Sequence, residues 1–157
     1  MKQNCSILLV EDDANDQYFI SRAFRQTAVP AHLDTVSDGQ SAIDFLNGKP
    51  KGGNDGKNGL EHVNPGIVLL DLNLPHKSGL EVLKWIRQES SWKTLIVIIL
   101  TSSTSEQDMH QAYTSGANAY VIKPSDPSEL REFAQLLKDF WLHWNQNPPC
   151  KNYFFGS

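Results

Sequence analysis

The chain has 157 residues, the size of one globular domain, and leaves little room for a second. Hydrophobic residues make up 39%, which supports a buried core and argues against a disordered chain. With 14 Lys and Arg against 18 Asp and Glu the net charge is -4, so nucleic acid and acidic lipid are not expected partners through bulk charge. Cys5 and Cys150 stand near opposite ends and suggest neither a zinc site nor a disulfide framework. No apolar run is long enough for a signal peptide or a membrane span, and the cytoplasm is the expected compartment.

In chain order, Ile7-Leu8-Leu9-Val10 is a fully apolar run that stops at Glu11-Asp12-Asp13, as a strand buried on both faces does. Tyr18, Phe19, Ala23 and Phe24 recur at helical spacing after an N-cap at Asp13 or Asn15, up to about Thr27. His32 to Val36 reads as a second strand, and Ala42, Ile43 and Leu46 as one face of a helix ending at Asn47-Gly48. Residues 48–66 carry Gly48, Gly52, Gly53, Gly56, Gly59 and Gly66 among Asn, Lys and Pro, the composition of a surface insert.

Ile67-Val68-Leu69-Leu70 is a further apolar strand, closed by Asp71 and followed by a turn from Pro75 to Gly79 and a helix bearing Leu80, Val82, Leu83 and Ile86. Leu95 to Leu100 is another, closed by Thr101-Ser102-Ser103-Thr104, with a polar helix after it that ends at Gly116. Ala119 to Ile122 forms the last strand, closed by Lys123-Pro124, and Asp126 or Ser128 caps a final helix to about Trp144. Five strands alternating with five helices, the central strands apolar throughout, call for a parallel sheet covered on both faces: a flavodoxin-like, doubly wound (βα)5 fold of order 2-1-3-4-5. The expected organisation is one domain over residues 1–144 and a tail over 145–157.

Ligands of such sheets bind outside the carboxyl ends of the strands. The residues there are Glu11, Asp12, Asp71, Thr101 and Lys123. Carboxylates gathered at one sheet edge repel unless a cation joins them, and an all-oxygen set suits Mg²⁺, with Mn²⁺ as an alternative. A lysine and a hydroxyl complete what phosphoryl transfer to a carboxylate requires, with Asp71 as the nucleophile and Glu11 and Asp12 free to hold metal. Each piece has a plainer explanation: an acidic pair can be a helix N-cap, a Lys-Pro a loop, and Thr101 to Thr104 another cap. The functional reading draws its weight from four strands that all end in groups suited to one chemistry.

With Leu9-Val10-Glu11-Asp12-Asp13, Leu70-Asp71-Leu72-Asn73-Leu74-Pro75, Ile99-Leu100-Thr101-Ser102 and Gly116-Ala117-Asn118-Ala119-Tyr120-Val121-Ile122-Lys123-Pro124 in this order, residues 6–142 resemble a two-component response regulator receiver domain. The resemblance implies that Asp71 accepts a phosphoryl group from a sensor histidine kinase. It also implies that Glu11, Asp12, Asp71 and the main-chain carbonyl of Asn73 hold Mg²⁺, that Lys123 and Thr101 bond the phosphoryl group, and that Tyr120 turns inward as the switch aromatic. Ser102 would be the small residue beside the phosphoryl group, and Lys123–Pro124 a cis peptide. The plainer alternative for Tyr120 is a static core or surface aromatic. Driving such a switch from nearly off to nearly on takes about 5.5 kcal/mol, within reach of a few charge-assisted bonds.

Two other classes use related parts. A phosphatase of the haloacid dehalogenase type places its nucleophile after the first strand with a second acid two residues on, whereas here position 73 is Asn. A flavodoxin-like cofactor binder needs a phosphate cradle where Glu11-Asp12-Asp13 would repel one. As a receiver, the chain would catalyse its own phosphorylation and dephosphorylation without turning over a separate substrate.

No DNA-binding module is expected after the last helix, so output through protein contact is the expectation. Phe133, Phe140, Trp141, Trp144, Tyr153, Phe154 and Phe155 crowd the end of the chain. The final helix carries Leu130, Phe133, Leu137 and Trp141 or Trp144 on its core stripe, yet Leu136, Phe140 and Leu142 lie off it. The expectation is a homodimer through the last helix, strand and tail, anchored by Phe140, Trp141 and Trp144; the alternative is a tail folded back over its own helix. The glycine-rich insert, Asp71 to Pro75 and Phe140-Trp141-Leu142 resemble the small stand-alone regulators of cyanobacterial phytochrome kinases, which would make the partner a light-sensing histidine kinase.

Overall fold

The computed structural model describes residues 6–27, 32–48 and 64–149. Within them five strands, β1 (Ser6–Val10), β2 (Leu33–Val36), β3 (Pro65–Leu70), β4 (Ile96–Thr101) and β5 (Ala119–Ile122), form one parallel sheet of order β2-β1-β3-β4-β5. The helices are α1 (Ala14–Gln26), α2 (Gly39–Leu46), α3 (Gly79–Gln88), α4 (Glu106–Thr114) and α5 (Pro127–Leu137), the last running into a π-helical segment, Lys138–Trp144. The expected fold and strand order are those observed. Most of the glycine-rich insert, both cysteines and Tyr153, Phe154 and Phe155 lie outside the described residues.

Strand side chains alternate between faces, and the two faces are two cores. Leu8, Val10, Val68, Leu70, Val97 and Ile99 pack with Ala42, Leu46, Val82, Leu83 and Ile86 of α2 and α3. Ile7, Leu9, Ile67, Leu69, Ile98 and Leu100 pack with Ile20, Ala23 and Phe24 of α1 and Leu130, Ala134 and Leu137 of α5. The inner stretches of β1, β3 and β4, Ile7 to Val10, Ile67 to Leu70 and Ile96 to Leu100, are covered on both faces, which explains their unbroken apolar runs.

Helix starts follow local chemistry. Asp13, Asp38, Ser78, Ser105 and Asp126 are the N-caps, each accepting from a backbone N–H two or three residues on. At Ser78 a reciprocal bond from Glu81 completes a capping box. α4 ends at Thr114 and is followed by Gly116, whose φ of 105° excludes most side chains, and whose carbonyl is gripped by Arg87.

Three expectations change. The final helix does not stay α-helical to Trp144: from Lys138 it is π-helical, and the wider turn carries Trp141 and Leu142 onto the α1/α5 core while Phe140 and Trp144 stay exposed. Leu142 thus lies on the packed side, and Trp141 is half-buried in its own chain. The segment after it folds back, with Asn147 Nδ2 donating to the Trp141 carbonyl at 2.7 Å and Pro148 and Pro149 beside Trp92. No described peptide bond is cis, so Lys123–Pro124 is trans. Proline permits the cis form without requiring it, and in the trans chain Lys123 already reaches its carboxylate partners. Among the described residues no helix is long and apolar enough to cross a membrane.

Candidate functional site

Strand register assembles the site. Val10 pairs with Leu70, so the next residues, Glu11 and Asp71, emerge side by side where the strand order reverses. Leu70 pairs with Ile99, and Thr101 with Ile122, which brings Thr101 and Lys123 to the same edge. Backbone bonds hold these ends: Glu11 N–H donates to the Val36 carbonyl at 3.1 Å, Asp71 N–H to that of Val10 at 3.1 Å, and Lys123 N–H to that of Thr101 at 2.8 Å.

The three central groups are nearly or wholly withdrawn from solvent: Glu11 is 1% exposed, Asp71 5% and Thr101 0%. The Lys123 ammonium lies between the acids, 2.6 Å from Glu11 Oε2 and 2.9 Å from Asp71 Oδ2. The other Asp71 oxygen accepts from the Asn73 N–H at 3.1 Å, which sets the Asn73 main chain against this carboxylate. Asp12 is exposed at the rim. One oxygen from each of Glu11, Asp12 and Asp71 lies within 4.8 Å of the others. That hard, all-oxygen, trianionic set fits Mg²⁺ or Mn²⁺, and an ammonium already drawn between two of its members shows how strongly it attracts positive charge.

Electrostatics follow from this crowding. Burial pushes the Glu11 carboxyl up to about 7, and the Asp71 charge adds to it, against the lowering effect of bonds from Lys123 and Asp13 N–H. Burial alone would lower Lys123, but hydrogen bonds to Glu11 and Asp71 and their charges reverse this and hold it above its ordinary value.

On the β4–α4 side, Thr101 Oγ1 accepts from Ser103 N–H at 3.3 Å, and Tyr120, packed inward against the α2/α3 core, donates its hydroxyl to the Ser103 carbonyl at 3.0 Å. Ser102 is exposed beside them. Glu11, Asp12, Asp71, Asn73, Thr101, Lys123 and Tyr120 are thus at or next to one edge, while Phe140, Trp141 and Trp144 lie on the distant last helix.

Sequence reasoning missed three contributors. Asp16, in the first turn of α1, is a further carboxylate on Lys123, 3.1 Å from its Nζ; only its position one turn after the acidic run could have signalled it. Gln17 donates to the Glu11 carbonyl and, at 3.1 Å, to Ser37 Oγ. Gly79 lies so close to the loop after β3 that a Cβ there would be 2.0 Å from the Asp71 carbonyl oxygen; the sequence showed it only as a turn glycine. A cavity of about 300 Å³, lined by Asp16, Phe19, Ile20, Pro124 and Leu130, opens beside Lys123.

Comparison with known proteins gives concordant results. The family described as response regulator receiver domain matches residues 7–135. The chain is 36% identical over 142 residues to the "Probable methanogenesis regulatory protein FilR2" of Methanothrix harundinacea, covering 90% of this chain and 86% of that protein. It is 33% identical over 136 residues to the response regulator Rcp1 of Synechocystis sp., covering 87% and 88% of the two chains. The Mn²⁺-bound structure of Rcp1 superposes with a TM-score of 0.78 over 92% of this chain and 99% of that one. The structure of the phosphorylated cyanobacterial phytochrome response regulator RcpA does so with a TM-score of 0.80 at 32% identity, over 94% of this chain and all of RcpA.

Proposed function

Because the chain belongs to the response regulator receiver domain family, we propose that it is the phospho-accepting partner of a sensor histidine kinase, with Asp71 as acceptor. The observation that carries this is the meeting of Asp71 with Lys123 at 2.9 Å, with Glu11, Asp12 and Thr101 around them at the sheet edge. An Asp71 oxygen attacks phosphorus as the P–N bond of the kinase's phosphohistidine breaks; the bonding pair stays with the imidazole nitrogen, and Asp71 becomes an acyl phosphate.

Mg²⁺, held by Glu11, Asp12, Asp71 and the Asn73 carbonyl, would offset negative charge on the transferring oxygens. Lys123, 2.9 Å from Asp71, would supply a second positive charge, and the Thr101 hydroxyl a donor. The chain is its own acceptor and turns over no separate substrate. Incubation with acetyl phosphate and Mg²⁺ should add one phosphate by intact mass, and Asp71→Asn should add none; a gain retained in that variant removes Asp71 from the role.

For the kinase we propose a phytochrome, supported by RcpA and by the glycine-rich insert, Asp71 to Pro75 and Phe140 to Leu142. Purified phytochrome kinase should then phosphorylate the chain faster than an unrelated histidine kinase does. The chain would also form a homodimer built on the last helix, where Leu136, Phe140 and Trp144 are 60%, 52% and 72% exposed and Trp141 braces Phe140 edge-on at 5.0 Å. Sedimentation should show a dimer that survives truncation after Asn145 and is lost in Phe140→Ser with Trp144→Ser. A dimer that persists in the double variant refutes those anchors.

A further inference from the structure

Lys123 has three N–H donors, and in this structure three carboxylates take them: Glu11 at 2.6 Å, Asp71 at 2.9 Å and Asp16 at 3.1 Å. The ammonium is saturated. A phosphoryl oxygen on Asp71 can receive one of its bonds only if a present partner gives way. Glu11 and Asp71 belong to the metal-holding set, so a bound cation competes with the ammonium for both; Asp16 lies outside that set and keeps its hold.

Asp16 is also well placed to act alone. Its N–H is capped by Asp13 Oδ1 at 2.9 Å, which fixes the backbone of the α1 first turn and hence the reach of the side chain. A carboxylate there is favoured by the helix dipole. At 43% side-chain exposure its grip on Lys123 is that of a solvent-screened pair, strong enough to bias the ammonium and weak enough to release it.

Resting on the reading of Asp71 as phosphoacceptor, we propose that Asp16 is a positioning residue for Lys123. It tethers the ammonium on the α1 side and competes with the phosphoryl group for it. With a cation drawing Glu11 and Asp71 away, Asp16 is the carboxylate left holding the ammonium, and removing it lets Lys123 turn fully to the transferring phosphoryl oxygens, so phosphorylation speeds up. The pair's range of about 0.2–1 kcal/mol corresponds to a rate gain of up to about fivefold.

The test uses Asp16→Ala, which removes the acceptor, and, should that fold poorly, Asp16→Leu, in the full chain. In metal-free protein, the Lys123 ammonium signal in ¹⁵N-resolved NMR should exchange with water faster once its third acceptor is gone. With Mg²⁺ present, intact mass should show faster phosphorylation by both acetyl phosphate and phosphoramidate, by a similar factor, and added salt should shrink the gain. Unchanged ammonium exchange, an unchanged or slower rate, or a gain confined to the more highly charged acetyl phosphate overturns the proposal; the last would mean that Asp16 merely repels the donor. If the wild-type chain takes up no phosphate, it is the Asp71 assignment that fails, and the NMR comparison still decides the tether.

Discussion

Replacing Gly79 by alanine tests whether backbone packing holds Asp71, the proposed phosphoacceptor, in place. Gly79 opens α3, its N–H donates to the Leu72 carbonyl at 3.0 Å, and a Cβ there would meet the Asp71 carbonyl oxygen at 2.0 Å and Leu72 Cα at 2.8 Å. Cβ atoms essentially never approach closer than 3.0 Å, and the neighbour here is backbone, so Asp71–Leu72 and the start of α3 must separate by about 1 Å. Forcing extra atoms into a packed site costs about 1–3 kcal/mol. For a chain of this size a 2 kcal/mol loss lowers Tm by about 4–8 °C. The larger effect falls on chemistry, because a misplacement of about 1 Å at a reacting group costs about 100-fold in rate. Gly48→Ala is the control: its φ is +76° and no atom of the described residues lies within 4 Å, so it incurs left-handed backbone strain of about 1–2 kcal/mol and leaves the site alone. Urea unfolding and acetyl phosphate labelling followed by intact mass would read both variants. A Gly79→Ala protein that phosphorylates within threefold of wild type would refute the reasoning, whatever its Tm.

Two further outcomes follow. Glu11 binds its proton more tightly in the folded chain, at about 7 against 4.5, so between those values the folded state holds more protons than the unfolded one and stability falls as pH rises. In EDTA the urea midpoint should drop from pH 5 to pH 7.5 and stay flatter in Glu11→Gln, while Mg²⁺ affinity should rise over the same window as metal displaces the proton; equal slopes in the two proteins would exclude Glu11 as the source. Arg87→Ala should cost about 2–3 kcal/mol in urea unfolding, since its guanidinium binds the carbonyls of Gly116, Lys93 and Leu95 and Asn118 Oδ1; a loss below about 0.5 kcal/mol would show those bonds to be replaceable by water.

The parts of the molecule legible in the sequence are those where one local cause decides. β1, β3 and β4 are buried on both faces, so Ile7 to Val10, Ile67 to Leu70 and Ile96 to Leu100 had to be unbroken apolar runs, and the residue ending each run had to lie at the ligand edge. The rest depends on contacts between distant segments. Lys138 reads as a surface residue in a helix, yet it is 2% exposed and donates to the Thr27 carbonyl at 3.0 Å and to that of Phe24 at 3.3 Å, tying the start of the π-helical segment to the end of α1. A helical wheel assumes a constant turn, so it could not place Trp141 and Leu142 beyond that junction. Asp16 likewise reads as an ordinary first-turn acid until the fold brings Lys123, 107 residues away in the chain, to within 3.1 Å.

The β4–α4 loop shows how chemistry at Asp71 could reach a surface. Thr101 has no exposed area, and its Oγ1 is held to the loop only by a 3.3 Å bond from Ser103 N–H, long enough to yield to a charged phosphoryl oxygen. Ser103 is the junction: its carbonyl accepts from Tyr120, its hydroxyl donates to Asp108 Oδ2 at 2.5 Å, and that hydroxyl also accepts from Ser105 N–H at 3.3 Å. Ser105 caps α4 and Asp108 lies in its first turn, so a movement of Ser103 is felt at once by Tyr120 on β5 and by the helix beside it. Contiguity alone does not make a switch; a second arrangement of the same contacts is needed, and the proposed pull of phosphoryl-Asp71 on Thr101 supplies the force that would select it. In this structure Tyr120 is already inward with its hydroxyl satisfied, so under the proposed phosphorylation of Asp71 the step left would be to re-aim Thr101, with the Tyr120–Ser103 bond carrying the change into α4.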